Sequence, residues 1–256
     1  MQTFSLEGKT ALVVGASRGI GLAIAQHIAA AGAHTILAAR SVDKLEKHAS
    51  DIRGSGGRAE SVALDVADAD SIAAATSKLP DLDIFVGVSG TNLRKRISDY
   101  TPGEYTSIMR TNVDGFFLLS QRIGKRMIDR GSGGKVIFIG SLMSILGLPY
   151  LTVYAMSKAA IAGLTRTLAA EWGRHNIQVN CIAPGFVITD LNRQMWQRED
   201  LRVWAQGIQA NPRVGTPEDI APLAVFLSGR GSDYITGQVI AVDGGYSTTA
   251  VWPFEP

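Results

Sequence analysis

Short apolar runs and helix-like segments alternate along almost the whole chain. In the intervening segments, apolar residues recur at helical spacing, as at Leu45, Ala49 and Ile52. The apolar runs lack the period-two alternation of a half-exposed strand, which indicates a sheet covered on both faces. The pattern predicts a doubly wound parallel α/β sheet with helices on both faces. The predicted strands are 10–14, 35–39, 58–64, 84–88, 135–139, 177–183 and 239–242, and the predicted helices are 22–31, 41–53, 71–79, 105–130, 154–173 and 217–228.

The chain shows no internal repeat and no linker-like stretch, so a single domain over residues 1–256 is expected. Its least regular part is 186–215, which carries the large side chains of Met195, Trp196 and Trp204. Long irregular segments of this kind are often functional, so this one is predicted to be a substrate lid.

Composition excludes several classes of protein. A hydrophobic content of 46% with a net charge of +2 excludes a disordered chain and gives no reason to expect nucleic acid or a membrane surface as partner. No apolar run reaches the ~18 residues of a membrane span, and the first residues lack the apolar core of a signal peptide. Cys181 is the only cysteine, which fits a reducing compartment, so a cytoplasmic location is expected.

A glycine-rich segment joins the first strand to the first helix. Without side chains the backbone can approach a pyrophosphate, and the helix start offers N–H donors and partial positive charge. The position therefore predicts a dinucleotide site in a Rossmann-type fold; the alternative is a tight turn that only allows close packing. The predicted contact residues are Gly15, Ser17, Arg18, Gly19, Ile20 and Gly21.

Arg40 follows the second strand, where dinucleotide folds meet the adenosine ribose. An acid there binds the 2′-hydroxyl, whereas an arginine accommodates a 2′-phosphate. Positions 38–40 hold no acid, and Arg18 in the glycine segment can reach the same phosphate. NADP(H) is therefore predicted in preference to NAD(H). The alternative is that Arg40 is an ordinary solvated residue at a strand end.

Tyr154 and Lys158 lie four residues apart in a predicted helix and so share one face. A lysine cation beside a phenol favours the phenolate, and such a phenol can exchange a proton with a carbonyl oxygen during hydride transfer. By itself this spacing is common and usually marks an exposed pair. Ser141, however, ends the fifth strand at the ligand-facing edge of the sheet, and Asn112 lies in the long helix before it.

The glycine spacing, Asn112, Ser141, Tyr154 and Lys158 together resemble the short-chain dehydrogenase/reductase family over 6–245. The resemblance implies a nicotinamide oxidoreductase in which Ser141 binds the substrate oxygen, Tyr154 transfers the proton, and Asn112 holds a water linking Lys158 to solvent. It also implies a homotetramer and no metal. The further implied cofactor contacts are Asp65 and Val66 at the adenine, Gly90 at the ribose, Pro184 and Gly185 beside the nicotinamide, Val187 and Ile188 at its carboxamide, Thr189 at a phosphate, and Tyr154 and Lys158 themselves.

Two segments depart from the family pattern. Val14 replaces the usual threonine before the first glycine, which removes one local hydrogen bond. The fourth strand ends in 87–90, Gly-Val-Ser-Gly, where relatives commonly have Asn-Asn-Ala-Gly. Only Gly90 matches fully, so the strand-bracing hydrogen bonds that the two asparagines imply are not expected here.

Within the family, 91–95 and 174–180 resemble gluconate 5-dehydrogenase-like sugar-acid and polyol dehydrogenases. Arg94, with Lys95 and Arg96, follows the fourth strand and can bind a substrate carboxylate; the alternative is a solvated loop or subunit contact. An apolar pocket wall is expected from Met143, Leu146, Leu148, Met195 and Trp196, and it would also suit a cyclic ketone.

Two other functions stay open. The first is reduction of a 3-oxoacyl thioester on a carrier protein, for which a basic helix face would help; its members are Arg122, Lys125, Arg126 and Arg130. The second is a non-catalytic, cofactor-binding sensor, which would need no Tyr154–Lys158 pair. The apolar tail 251–256 is expected to dock on its own subunit or a neighbour.

Overall fold

Seven parallel strands form a single sheet in the order β3-β2-β1-β4-β5-β6-β7. The computed structural model describes residues 4–190 and 192–250. The predicted doubly wound parallel sheet is confirmed, and each predicted strand is present. The strands are β1 Thr10–Val14, β2 His34–Ala39, β3 Arg58–Ala63, β4 Ile84–Gly87, β5 Gly134–Ile139, β6 Ile177–Pro184 and β7 Val239–Val242.

Helices connect these strands and cover both faces of the sheet. Alternate residues of β1 face opposite layers: Ala11 and Val13 pack against α1, α2 and α8, whereas Leu12 and Val14 pack against α3, α5 and α6. Because both faces are buried, the four consecutive residues 11–14 of β1 are all apolar. The helices are α1 Gly19–Ala30, α2 Val42–Gly54, α3 Ala69–Lys78, α4 Pro102–Met109, α5 Gly115–Arg130, α6 Thr152–Trp172, α7 Glu199–Ile208 and α8 Pro217–Ser228.

The strand order reverses at β1, which pairs with β2 on one side and β4 on the other. Ligands of doubly wound sheets bind at this point, beyond the carboxyl ends of the strands. The Ser89 amide donates to the Val14 carbonyl at 3.2 Å, so the segments that follow β1 and β4 leave the sheet side by side. The fold therefore places the glycine segment, Gly90 and the end of β5 around one crevice.

Two predicted segments differ from the structure. The predicted helical stretch 105–130 is helical throughout and begins earlier, at Pro102, but a turn of π-helix, Arg110–Asp114, lies between α4 and α5. Such single π turns insert one residue into a helix and are frequent at functional sites. The stretch 186–215, predicted to be irregular, contains the helix α7, which the sequence pattern did not predict.

No helix among the described residues has the length and apolar character needed to cross a bilayer. The same ranges, 4–190 and 192–250, contain no cluster of three or more His, Cys, Asp or Glu side chains suited to a metal ion. The tail 251–256, for which docking was predicted, lies outside the described residues.

Candidate active site

The glycine segment after β1 forms a turn in which larger side chains have no room. Gly15 has a φ of +94°, and a Cβ there would lie 2.7 Å from the Ser89 amide nitrogen. A Cβ on Gly21 would lie 2.2 Å from the Gly15 carbonyl oxygen. Gly19 faces the Thr189 side chain, whose carbons are 3.5 Å from a Cβ built at Gly19. The turn and Thr189 therefore border one space beside the start of α1, which suits a pyrophosphate.

The end of β2 lies directly against this turn. The Ala38 carbonyl accepts the amides of Gly15 and Ala16 at 2.7 and 3.3 Å, and Arg40 follows two residues later. Arg18 and Arg40 are exposed, and neither forms a salt bridge within the described residues. The two guanidinium groups predicted to bind a 2′-phosphate therefore belong to adjacent segments.

The segment after β3 is closely packed against α5. A Cβ on Gly115 would lie 2.2 Å from the Val66 carbonyl oxygen, so only glycine permits this approach. One carboxylate oxygen of Asp65 accepts the Ala67 amide at 2.9 Å. One carboxylate oxygen of Asp65 is thus used within its own turn. The other carboxylate oxygen has no hydrogen-bond partner among the residues the structure describes.

Gly90 lies beside two of the predicted catalytic side chains. A Cβ built on Gly90 would be 3.4 Å from the Lys158 Nζ and 3.6 Å from the Asn112 Oδ1. The backbone at Gly90 therefore lies close to the Lys158 ammonium group. The ribose contact of Gly90 stays a prediction.

Lys158 is buried below the phenol of Tyr154. Its side chain is 3% exposed, and Nζ donates to the Ile139 carbonyl at 2.8 Å. Nζ lies 5.7 Å from the centre of the Tyr154 ring, as expected for residues one helical turn apart. One of the three ammonium donors is thus used by β5, and the cation stays beside the phenol.

Ser141 lies between the end of β5 and a short 3₁₀ turn, Leu142–Ser144. Its Oγ accepts the Met143 amide at 3.2 Å. The hydroxyl proton is therefore available for donation to another oxygen. Ser141 therefore offers an unused hydroxyl donor at the carboxyl end of β5.

Asn112 lies in the π turn and is fully buried. Its Nδ2 donates to the Thr91 carbonyl at 2.9 Å and to the Ser157 Oγ at 3.0 Å, and its Oδ1 accepts the Thr91 amide at 2.8 Å. Both amide hydrogens of the carboxamide are thus used to hold the segment after β4 against α6. This bracing was not evident from the sequence, because Thr91 and Ser157 carry no recognisable motif.

The segment after β6 is held by a bridge between Val187 and Gly215. The Ile188 amide donates to the Gly215 carbonyl at 2.9 Å, and the Val187 carbonyl accepts from Asn192 at 2.8 Å. The Val187 amide has no partner in the described parts of the chain. Of the two residues predicted at the nicotinamide carboxamide, Val187 therefore offers the free donor and Ile188 does not.

Pro184 is the last residue of β6, and Gly185 packs against the start of the final turn. A Cβ on Gly185 would lie 2.6 Å from the Cα of Asp243. The chain thus turns sharply past the end of β7 before it reaches Val187. This close approach explains why a glycine stands at the position predicted to border the nicotinamide.

An aromatic cluster forms around Phe186, which belongs to the same small apolar group as Tyr154. The Phe186 ring lies 5.1 to 6.0 Å from three other rings, all inclined edge to face. Phe186 and Tyr246 were missed by the sequence analysis because they are far apart in the chain and belong to no motif. The partners of Phe186 are Trp196, Trp204 and Tyr246, and the same apolar group contains Met143, Leu146, Leu148 and Tyr154. Met195, also predicted for this wall, is exposed and outside the group.

The three cations after β4 do not act as a unit. Lys95 Nζ binds both carboxylate oxygens of Glu104, at 2.7 and 3.0 Å, so its charge is already paired. The Lys95 amide donates to the Tyr150 carbonyl at 2.9 Å, which joins this loop to the loop that follows Ser141. Arg94 and Arg96 are exposed and form no salt bridge in the described ranges.

Cys181 is fully buried in β6, and burial raises the pKa of its thiol to about 11. The thiolate is the reactive form of cysteine, so this thiol is inert near neutral pH. Cys181 is therefore a structural residue of β6.

Comparison with known proteins identifies the family. A family model described as Enoyl-(Acyl carrier protein) reductase matches residues 15–247. Gluconate 5-dehydrogenase of Gluconobacter oxydans (strain 621H) is 35% identical over 250 residues, covering 96% of this chain and 97% of that protein. The chain belongs to the short-chain dehydrogenase/reductase family.

Other members of the family are equally similar over their whole length. A tropinone reductase homolog of Arabidopsis thaliana is 35% identical, covering 95% of this chain and 94% of that protein. The crystal structure of a gluconate 5-dehydrogenase from Burkholderia cenocepacia J2315, in complex with NADP and tartrate, matches with a TM-score of 0.93. It is 34% identical and covers 97% of this chain and 99% of that chain. As a short-chain dehydrogenase/reductase, the protein is an NAD(P)-dependent oxidoreductase acting on CH–OH or C=O groups.

Proposed function

We propose that the protein transfers a hydride between NADP(H) and a sugar acid or polyol, interconverting a ketone and a secondary alcohol. The observation that carries the proposal is the position of Lys158 and Asn112 beside Gly90. Tyr154 lies one helical turn from Lys158, and Ser141 is linked to the Lys158 backbone through Ser144. When bound, the nicotinamide supplies or accepts the hydride, and the protein supplies orientation and proton transfer.

Each of the four residues has a role that its contacts support. Ser141 donates its free hydroxyl proton to the substrate oxygen, which orients the carbonyl. Tyr154 delivers the proton to that oxygen in reduction and removes it in oxidation. Lys158 holds its buried ammonium group one helical turn from Tyr154, with Nζ 5.7 Å from the centre of the phenol ring. Asn112 holds the segment after β4 in place, and the water that links Lys158 to solvent stays a prediction.

The preference for NADP(H) rests on Arg18 and Arg40. Both are exposed beside the glycine turn, and 38–40 offers no carboxylate that would repel a 2′-phosphate. Ser17, Ile20 and Thr189 complete the proposed phosphate site around Gly19, with Asp65 and Val66 at the adenine. The Val187 amide is the proposed donor to the nicotinamide carboxamide.

A sugar-acid substrate is supported by the relatives and by Arg94. Several relatives are sugar-acid enzymes, among them the 5-keto-D-gluconate 5-reductase of Escherichia coli (strain K12), 33% identical over 94% of this chain. Arg94 is exposed on the loop joined to that after Ser141, so its guanidinium is the proposed anchor for a carboxylate. The aromatic cluster around Phe186 would cover the C–H faces of the sugar chain, with Trp196 in the proposed lid 186–215.

The same apolar wall favours a second candidate, a cyclic ketone, which the similarity to a tropinone reductase homolog also supports. Carrier-protein thioesters are supported less well. On the basic face of α5, Lys125, Arg126 and Arg130 are paired with carboxylates of Asp129, Asp81 and Asp83. This face therefore carries less net positive charge than its sequence indicates.

Several further expectations complete the proposal: a single domain, a homotetramer and a cytoplasmic location. Phe117 on α5 and Tyr234 after α8 are large apolar side chains exposed in the isolated subunit, which supports association through those surfaces.

The proposal is tested by following absorbance at 340 nm with NADPH and NADH against sugar acids, polyols, acyl thioester mimics and cyclic ketones. We expect 5-keto-D-gluconate with NADPH to be turned over best. Tyr154→Phe should lower kcat by about 10²- to 10⁴-fold and leave NADPH affinity nearly unchanged. Preference for a cyclic ketone would replace the substrate proposal, and full activity of Tyr154→Phe would exclude the proposed proton donor.

A further inference from the structure

Two serine hydroxyls link the proposed catalytic residues to each other. The first belongs to Ser157, which lies between Tyr154 and Lys158 on α6 and is fully buried. Its Oγ donates to the Tyr154 carbonyl at 2.7 Å and accepts from the Asn112 Nδ2 at 3.0 Å. One hydroxyl therefore ties the π turn to the backbone of the proposed proton donor.

The second hydroxyl belongs to Ser144, at the end of the 3₁₀ turn that follows Ser141. Its Oγ accepts the Ser141 amide at 3.3 Å and donates to the Lys158 carbonyl at 2.9 Å. The serine that binds the substrate oxygen is thereby tied to the backbone of the lysine. This hydrogen bond spans two elements that pack against each other, the 3₁₀ turn and α6.

Each hydroxyl thus accepts from one proposed catalytic residue and donates to the main chain of another. Serines in helices often donate back to a carbonyl one turn earlier, and that bond alone has no catalytic meaning. Ser228 on α8 is such a case: it is buried, and its Oγ donates to the Ala224 carbonyl at 2.7 Å. Ser144 and Ser157 differ from Ser228 in having a second hydrogen bond. Ser144 accepts it from the Ser141 amide, and Ser157 accepts it from the Asn112 side chain.

The surroundings leave these hydroxyls little freedom. A Cβ on Gly140 would lie 2.6 Å from the Ser144 Oγ and 2.6 Å from the Cys181 Sγ. The Gly140 backbone therefore lies close to the Ser144 hydroxyl and limits its movement. Ser157 and Asn112 have no contact with solvent. Removal of either hydroxyl would leave buried donors without their partner, and the structure would shift to satisfy them.

We propose that Ser144 and Ser157 are positioning residues for hydride transfer. They fix the positions of the Ser141 hydroxyl, the Tyr154 phenol and the Lys158 ammonium relative to one another. Groups that act on the same substrate oxygen must keep their separation to within about 0.5 Å. A displacement of about 1 Å costs roughly a hundredfold in rate. The two hydroxyls join the three elements that carry the proposed catalytic residues: the π turn with Asn112, the end of β5 with Ser141, and α6 with Tyr154 and Lys158.

The test compares Ser144→Ala and Ser157→Ala with Ser228→Ala, which removes a buried hydroxyl that bonds only within α8. We expect each of the first two to lower kcat about ten- to hundredfold, with KM and NADPH affinity within about twofold. The kinetic isotope effect on kcat with deuterated NADPH should rise, because hydride transfer becomes the slow step. Ser228→Ala should change melting temperature only.

Ser144→Thr keeps the hydroxyl and should recover most of the activity lost in Ser144→Ala. Equal kcat and isotope effect in all three alanine variants would overturn the proposal. So would a loss of kcat in Ser144→Ala that Ser144→Thr does not recover. The inference rests on the proposed roles of Ser141, Tyr154 and Lys158 and not on the substrate: an active Tyr154→Phe would refute those roles, whereas a different preferred ketone would leave it intact.

Discussion

At the scale of single residues, the charged side chains around the crevice fall into paired and free groups. Lys95 is neutralised by Glu104, whereas Arg18, Arg40, Arg94 and Arg96 form no salt bridge within the described residues. Ligand recognition therefore depends on individual arginines and not on the overall charge, which is only +2. An unpaired, exposed guanidinium can bind an incoming anion without first breaking an internal ion pair.

Arg40→Asp should reverse the cofactor preference. The new carboxylate repels a 2′-phosphate and can accept hydrogen bonds from a free ribose. The ratio of kcat/KM for NADPH to that for NADH should fall by about tenfold to a hundredfold. Initial rates with both cofactors measure this ratio. Asp43→Asn, in the first turn of α2, serves as a control that should leave the ratio unchanged. An unaltered ratio in Arg40→Asp would mean that Arg40 is only a solvated residue.

Arg94→Ala should weaken binding of acidic substrates selectively. The loss of a charge-assisted hydrogen bond should raise KM for 5-keto-D-gluconate about tenfold. KM for an uncharged polyol such as galactitol should stay within about twofold. Arg96→Ala removes a neighbouring exposed cation and should affect neither substrate. If both substrates lose affinity equally in Arg94→Ala, the residue supports the loop and does not bind the carboxylate.

At the scale of elements, the start of α8 is stabilised by a bidentate ion pair. The guanidinium of Arg213 donates to both carboxylate oxygens of Asp219 at 2.7 and 2.6 Å, and the Thr216 amide donates to the same group at 2.8 Å. The Arg213 guanidinium lowers the pKa of Asp219 from 3.8 to about 2. This carboxylate therefore joins the end of the proposed lid to the helix that covers β1.

The contribution of Asp219 to stability should depend on pH in one direction. Because folding lowers the pKa of this carboxyl, its contribution is fully present above pH 3.8 and is lost as the pH falls toward 2. Asp219→Asn should lower the melting temperature by roughly 2 to 4 °C near neutral pH. The difference from the unaltered protein should shrink in urea titrations between pH 6 and pH 3. The neighbouring Glu218→Gln is the control, and a difference that does not vary with pH would contradict the assignment.

At the scale of the whole molecule, close contact between helices of one layer sets the position of α6 and hence of the catalytic residues. Trp172, near the end of α6, packs onto Gly124 of α5, and a Cβ at Gly124 would lie 2.3 Å from the indole ring. The indole is 5% exposed, so it cannot swing into solvent. This contact is possible only because α5 carries no side chain at that point.

Gly124→Ala should therefore destabilise the protein. Overpacking of about 1 to 3 kcal/mol corresponds to a fall in melting temperature of roughly 2 to 10 °C. Gly163→Ala on α6 is the matched change, because nothing lies within 4 Å of a Cβ there. It should hold or raise the melting temperature, since alanine favours helix by up to about 1 kcal/mol over glycine. Similar losses in both variants would show that helix propensity, and not the Trp172 contact, decides the outcome.

Much of this protein follows from local sequence patterns. The buried strands and most of the helices could be predicted because hydrophobic periodicity is a property of a few consecutive residues. The glycine turn could be predicted because it lies at the junction of the first strand and helix. The pair Tyr154 and Lys158 is likewise local, since a separation of four residues places two side chains on one helix face.

Contacts between distant segments were decided only by the tertiary structure. The Asn112 carboxamide reaches Thr91 and Ser157, 21 and 45 residues away in the chain. Phe186 meets Tyr246 only because β6 and β7 end side by side. The π turn at Asn112 arises where α4 meets α5, and no local pattern predicted it. The alternation of apolar runs and helical segments in the sequence thus determined the layers and the location of the crevice. Long-range packing and hydrogen bonding decided how the side chains of the crevice are aligned. Those energies depend on neighbours that the chain brings together only on folding.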